Sequence, residues 1–232
     1  MTNLPFATPA LGSVLSLTGL PGGNDKIHDR SPYGNHGTIT GATWQRLASG
    51  LWCLSFDGSD DYVNLGNHGS LDLVNGATIA LWFMLTANAP AAGAYLISKD
   101  EYSAPDNNAG YTMVVLNTSH IINVDFRNNL VSNLASTVAV QKDRWYNLVA
   151  TFEPNTAFRL YLNGSLDAAD TTNIPATQKT TTNNCNLGRL QRAPGNSYFP
   201  GRIAMVRLYN RPLSALEIQN RFHQEKHLFG EW

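Results

Sequence analysis

Thr78-Ile79-Ala80-Leu81-Trp82-Phe83-Met84-Leu85 is the segment that most restricts what this chain can become. The run is short for a buried helix, it is rich in residues that favour strands, and it contains no charge. In a strand, successive side chains point to opposite faces. A strand with apolar groups on both faces reads as a central one, covered on both sides.

Around it lie further strand-like runs, separated by Gly, Asn, Pro and Asp. Leu51 to Phe56 alternates, with Trp52, Leu54 and Phe56 on one face. Asp61 to Leu65, Tyr95 to Ser98, Tyr111 to Leu116 and Ile121 to Phe126 follow. Trp145 to Phe152, Phe158 to Leu162 and Arg202 to Tyr209 complete the set. Asn163-Gly164 between two alternating runs predicts a tight hairpin, because a two-residue type I′ turn needs positive φ at both positions. About a dozen short strands spaced by turns point to an all-β fold, a two-sheet antiparallel jelly-roll sandwich. One helix is expected, starting near Ser214. Ser214-Ala215-Leu216-Glu217 reads as a capping box, with Ala215, Ile218 and Phe222 on the packing face. Lys99 to Gly110 and Arg189 to Pro200 read as long, irregular loops, and no repeat or linker divides the chain.

The charged fraction, 14%, is well below the ~25% usual for a soluble domain. The formal net charge is -1 and no basic run occurs, which argues against nucleic acid as a partner. No apolar stretch approaches the ~20 residues that a membrane-spanning helix needs, so no membrane insertion is expected. The first residues lack a basic start, and Pro5 and Pro9 interrupt the apolar stretch, which makes a poor signal peptide. An extracellular or virion surface is the favoured location, reached after a signal was trimmed or by another route. Cys53 and Cys185 are expected to be two small buried thiols.

Several phrases, in order, resemble the laminin-G-like, or concanavalin A-like lectin/glucanase, superfamily. Asp29-Arg30-Ser31-Pro32-Tyr33-Gly34-Asn35-His36-Gly37 is similar to that family's early turn. Leu54-Ser55-Phe56-Asp57-Gly58-Ser59-Asp60-Asp61-Tyr62-Val63 is similar to its hairpin. Trp145 to Phe152 with Leu160 to Gly164 resembles its central pair, and Phe199 to Ser214 its closing strand and helix. The resemblance implies an N-terminal extension or arm over 1-28, a jelly-roll domain over 29-222 and a C-terminal tail over 223-232. It implies two curved sheets and, in most members, a non-catalytic role with glycan or protein ligands bound at loops or on a concave face. It also implies structural calcium, but Ala204 stands where relatives often carry an acidic calcium ligand, and calcium favours six to eight oxygens.

Glycoside hydrolysis would need two carboxylates across one sugar, about 5–9 Å apart. Glu101, Glu153, Glu217, Glu225 and Glu231 all fall outside the strand-like runs, and no acid pair emerges. There is no Gly-x-Ser-x-Gly elbow for a nucleophile either. The chain is therefore expected not to be an enzyme. Asp57, Asp60 and Asp61, with Asp29 from the earlier turn, are the candidate calcium ligands; ordinary turn chemistry explains the same residues. For a sugar, an aromatic face and polar groups for hydroxyls are needed. The two loops offer Tyr102, Asp106, Asn107 and Asn108, and Arg192, Asn196 and Tyr198. Phe199, beside the closing strand, reads as a core anchor. The leading expectation is a surface recognition module, lectin-like, with glycans or surface proteins as partners. The alternative is a structural or decoration protein of a larger particle such as a virus or phage, contacting other subunits. A glycoside hydrolase of the concanavalin A-like class stands third.

Overall fold

The computed structural model describes residues 10–18, 21, 23, 25–103, 107–128, 130–191 and 196–230, without the side chains at 102, 103, 107, 108 and 130–132. In chain order the strands are β1 (Ser13–Leu17), β2 (Lys26–Ile27), β3 (Gly37–Thr40), β4 (Thr43–Arg46), β5 (Trp52–Asp57) and β6 (Tyr62–Asn64). Then come β7 (Ala77–Leu85), β8 (Ala94–Ser103), β9 (Asn107–Val115), β10 (Ile122–Asn128), β11 (Leu130–Ala135) and β12 (Trp145–Glu153). The last are β13 (Ala157–Leu162), β14 (Ser165–Asp170), β15 (Asn186–Leu187), β16 (Arg189–Leu190), β17 (Ser197–Tyr198) and β18 (Pro200–Tyr209). One α-helix among the described residues, α1 (Ala215–Glu225), follows, and a 3-10 turn over Lys226–Phe229 extends it.

The first sheet runs β14-β13-β12-β7-β18-β5-β4, with β1 also beside β18. The second runs β11-β10-β9-β8-β15-β6-β3-β2, and β16 pairs with β17. These pairings are antiparallel, which makes the expected jelly-roll sandwich. Asn163 and Gly164 both take positive φ, +52° and +77°, between the paired ends Leu162 and Ser165, as the Asn-Gly signal predicts.

Strand β7 sits at the centre of the first sheet and is buried along its whole length. Ile79, Leu81, Phe83 and Leu85 face the second sheet and join Met113, Val124 and Phe126 in the main core. Trp82 and Met84 face the other way, into a second apolar cluster with Phe222, Leu228 and Phe229, while Ala80 joins Ile218 and Tyr209 in a third. The helix is thus a third layer on the outside of the first sheet. Its capping box forms: Ser214 accepts from the Glu217 N–H, and the Glu217 carboxylate accepts from the Ser214 N–H. The Arg211 guanidinium, together with this cap, holds the Glu217 carboxyl down at about 2. Ala215 is exposed rather than packed; the buried stripe of the helix is Ile218, Phe222 and Glu225.

Two expected boundaries need correction. The domain does not begin at Asp29: β1 pairs with β18 through Leu15↔Leu208 and Leu17↔Val206. The reason lies in β18, which bulges between Ala204 and Arg207, with Met205 at φ +51°. Strand β5 pairs only with the part up to Ile203, so the rest of that edge would carry unpaired backbone groups, and β1 fills it. Nor does a tail begin at 223. Phe229 stacks on the Trp82 ring at 4.0 Å and Leu228 lies in the same cluster. Residues 1–9, which fall in the expected N-terminal arm, lie outside the described residues.

Truncating Phe222, which stacks on Trp82 at 5.7 Å, opens a void in the outer layer. Phe222→Ala is expected to lower the unfolding free energy by about 3 kcal/mol, read as a lower urea midpoint at unchanged m-value.

Candidate functional site

Both segments read from the sequence as irregular loops are hairpins, and both attach to β8. The ladder between β8 and β9 continues through Lys99↔Tyr111 and Glu101↔Ala109 to Ser103↔Asn107. Tyr102, Asn107 and Asn108 therefore lie in strand backbone near the hairpin tip; Asp106 lies outside the described residues, as do those three side chains. Gly110, paired with Asp100, has φ +89°, and a Cβ there would sit 1.8 Å from the Lys99 carbonyl oxygen. The second segment forms the β16–β17 hairpin, laid against β8 where the Ser98 hydroxyl donates to the Arg189 carbonyl at 2.8 Å. Asn196 is exposed and its amide donates to the half-buried Tyr198 hydroxyl at 3.0 Å. Phe199 is wholly buried in the main core, and Arg192 lies outside the described residues.

On the outer face of the second sheet the strand registers align a row of polar residues that sequence reading missed. Asn133 pairs with Asp125, Asp125 with Thr112, Thr112 with Ser98, Ser98 with Asn186, Asn186 with Asn64 and Asn64 with Thr38. Their chain neighbours Leu134, Val124, Met113, Ile97, Leu187, Val63 and Ile39 fill the core, so the row itself faces away from it. Asp125 accepts hydrogen bonds from the Thr112 hydroxyl (2.7 Å), the Asn133 amide (3.0 Å) and Arg127 (3.1 Å). Arg127 also donates to Asp100, and all three charged residues are less than a tenth exposed. Farther along, Arg189 donates to Asn186 and Gln191, and its guanidinium lies 3.4 Å from the centre of the Tyr62 ring.

Asp100 and Asp125 are two carboxylates brought together on one face, which the sequence did not predict. Arg127 forms ion pairs with both of them. The inner members of the row, Asp125, Thr112, Ser98 and Asn186, are buried, and only its ends, Asn133 on one side and Asn64 and Thr38 on the other, can offer amide and hydroxyl groups to a polar ligand.

The acidic turn also forms: carboxylate oxygens of Asp57, Asp60 and Asp61 lie within 4.8 Å of one another. Burial, and after it the neighbouring charges of Asp57 and Asp60, pushes the Asp61 carboxyl above the usual carboxylate range, though the Asp57 N–H bond opposes this. Part of the set is already engaged by the turn itself. Asp57 accepts from the Ser59 N–H at 2.8 Å, and Asp61 accepts from the Asp57 N–H at 2.8 Å. The remaining oxygens suit a hard cation such as calcium. Asp29 does not join this group. Its carboxylate accepts from the Ser16, Ser31 and Asn35 N–H groups and from the Ser31 hydroxyl, which ties β1 to the early turn. Ala204 does not bear on the cluster either: it lies four residues along β18 from Pro200, the partner of Asp57, and packs with Trp82 under the helix. Cys53 and Cys185 are free and buried, and burial pushes both thiols up to about 11.

The family described as the concanavalin A-like lectin/glucanases superfamily matches residues 57–219. No curated protein matches the sequence. Among solved structures, the binding domain of the Paraclostridial Mosquitocidal Protein 1 superposes with a TM-score of 0.71 at 16% identity, covering 95% of this chain and 55% of that one. A Trypanosoma rangeli sialidase in complex with sialic acid gives 0.68 at 16%, covering 96% and 34%. A botulinum neurotoxin type C structure, from work on cell entry that depends on two ganglioside molecules, gives 0.62 at 13%, covering 91% and 51%. The chain thus spans 55% or less of each of these proteins, and the likeness is one of fold.

Removing the acid that Arg127 leans on leaves a buried cation short of a partner. Asp125→Ala is expected to lose about 3–5 kcal/mol of stability by chemical denaturation. Asp60→Asn removes one of three crowded charges, so in EDTA it is expected to melt slightly above the unaltered protein, by the equivalent of under ~1 kcal/mol at low salt. An unchanged or lower melting temperature would show that the three charges do not repel one another appreciably.

Proposed function

This chain belongs to the concanavalin A-like lectin/glucanase superfamily, and from that premise we propose that it is a non-catalytic recognition module that binds glycans. The observation that carries the reading is the transverse polar row of the second sheet, whose buried middle, Asp125 to Asn186, holds solvent-reaching polar ends at Asn133 and at Asn64 and Thr38 beside the hairpins on β8. Sugars present many hydroxyls in fixed directions, and a pre-ordered set of amides and hydroxyls meets them at low entropic cost. Asn133 at the open end of the row and Asn196 on the β16–β17 hairpin are exposed and supply the first contacts. The sialic acid and ganglioside ligands of two structurally similar proteins support the same ligand class. The non-catalytic half of the reading is supported by Arg127, which ion-pairs with both Asp100 and Asp125, the two acids of that face. Calcium at Asp57, Asp60 and Asp61 would act as a structural ion in this reading, fixing the β5–β6 turn and performing no chemistry.

A broad glycan panel with the immobilised chain tests it. At least one glycan is expected to bind with Kd between about 10 μM and 1 mM. Asn133→Ala and Asn196→Ala are each expected to weaken it several-fold, with melting unchanged for Asn196→Ala and slightly lower for Asn133→Ala, which loses its bond to Asp125. The absence of any binder at millimolar concentration, or binding indifferent to both substitutions, would sink the proposal. Calcium is tested alongside: added metal should raise the melting temperature of the unaltered protein but not of Asp60→Asn.

A further inference from the structure

A second site lies where the β11–β12 connection meets the β13–β14 hairpin. An open groove of about 330 Å³ there is lined by Val138, Gln141, Arg144, Tyr146, Leu166 and Asp167, among others. That volume is within the range of small-ligand sites, and none of these residues belongs to the polar row.

Three observations define what the groove would accept. The first is exposed apolar surface. Only five large hydrophobic side chains are exposed among the described residues, and two of them, Val138 (53%) and Leu166 (56%), line this groove. One comes from each of the two chain segments. The second is a cation without an anion. Arg127, Arg159, Arg207 and Arg211 each pair with a carboxylate. Arg144 is exposed and makes no ion pair among the described residues; its guanidinium lies 5.8 Å from the centre of the Tyr146 ring. The ring face holds the planar fork near the groove floor without satisfying its N–H donors. The third is that the groove's own carboxylate is engaged elsewhere. Both Asp167 oxygens accept from Thr137, one from its N–H at 2.8 Å and one from its hydroxyl at 2.7 Å. That clamp joins the two walls and leaves Arg144 without a partner. Asp143, next to it in the chain, does not line the groove.

We propose that this groove binds the C-terminal carboxylate of a peptide that ends in an aliphatic residue. The Arg144 fork takes the carboxylate through paired N–H···O bonds. The aliphatic side chain lies against Val138 and Leu166, and the side chains of Gln141 and Ser165 are within the lining to meet the last peptide group. The exposed ion pair is screened by salt, so affinity is modest and falls with ionic strength.

The test is a ¹H–¹⁵N NMR titration of the full chain with N-acetyl-L-leucine, and with N-acetyl-L-leucinamide as the uncharged control. Saturable shifts are expected at Val138, Arg144 and Leu166 for the acid, with Kd on the order of 1 mM. The amide should bind at least about fivefold more weakly, and so should the acid to Arg144→Gln or Leu166→Ser, each melting like the unaltered protein. Equal binding of acid and amide, no saturable shift, or a titration unaffected by Arg144→Gln would each overturn the proposal. So would a concentration-dependent dimer abolished by Leu166→Ser in a chain that shows no shift with the acid, since the groove would then be a self-association face.

Discussion

The Trp82 indole stands on the outer face of β7, and nearly every group it presents is engaged. Phe229 and Phe222 stack on the ring, and its N–H donates to Glu225 at 2.8 Å. Glu225 is buried and is held in turn by Arg207 at 2.8 Å. A buried carboxylate is tolerable only with such partners. These contacts fix the helix to the sheet in one rotation, because Phe222 and Glu225 must point inward together. In the same sheet, β1 pairs with the half of β18 that β5 leaves free. The bulge at Met205 redirects β18 just where it passes from β5 to β1.

With the first sheet covered on both sides, the two sheets have different roles. The outer face of the second sheet carries no helix among the described residues. Its outward side chains are polar but not free: Asp125, Arg127, Asp100 and Thr112 satisfy one another, and Arg189 lies on Tyr62. A network of this kind costs stability when one member is lost, and it keeps the remaining donors and acceptors at fixed positions.

Much of the fold could be read from local pattern. The runs around Trp52, Trp82, Trp145 and Arg202 became strands at nearly the expected bounds, Asn163-Gly164 became the tight turn, and Ser214 and Glu217 formed their box. Each of those signals is local, either a two-residue or 3.6-residue period or a turn whose φ values only certain residues accept. The candidate site was much less legible. Pro105, Asn107, Asn108 and Gly110 read as turn residues, so the sequence predicts a loop at Tyr102, Asn107 and Asn108, yet pairing across the hairpin holds them in strands. In the sequence Asp125 reads only as a strand residue, and Arg127 falls just past the end of that run.

The sequence by itself determined the class of fold, the central place of the β7 strand, the helix start and the acidic turn at Asp57 to Asp61, since these follow from residues within a few positions of each other. Tertiary structure alone decided that β1 belongs to the first sheet, that Asp29 serves the turn next to it, that Asp100 and Asp125 share one arginine, and that Asn133, Asp125, Thr112, Ser98, Asn186 and Asn64 form a row. The physical reason is register. A slip of one residue in any strand would turn its side chains to the opposite face, and what sets the register is the packing of the core between the sheets, which no single segment contains.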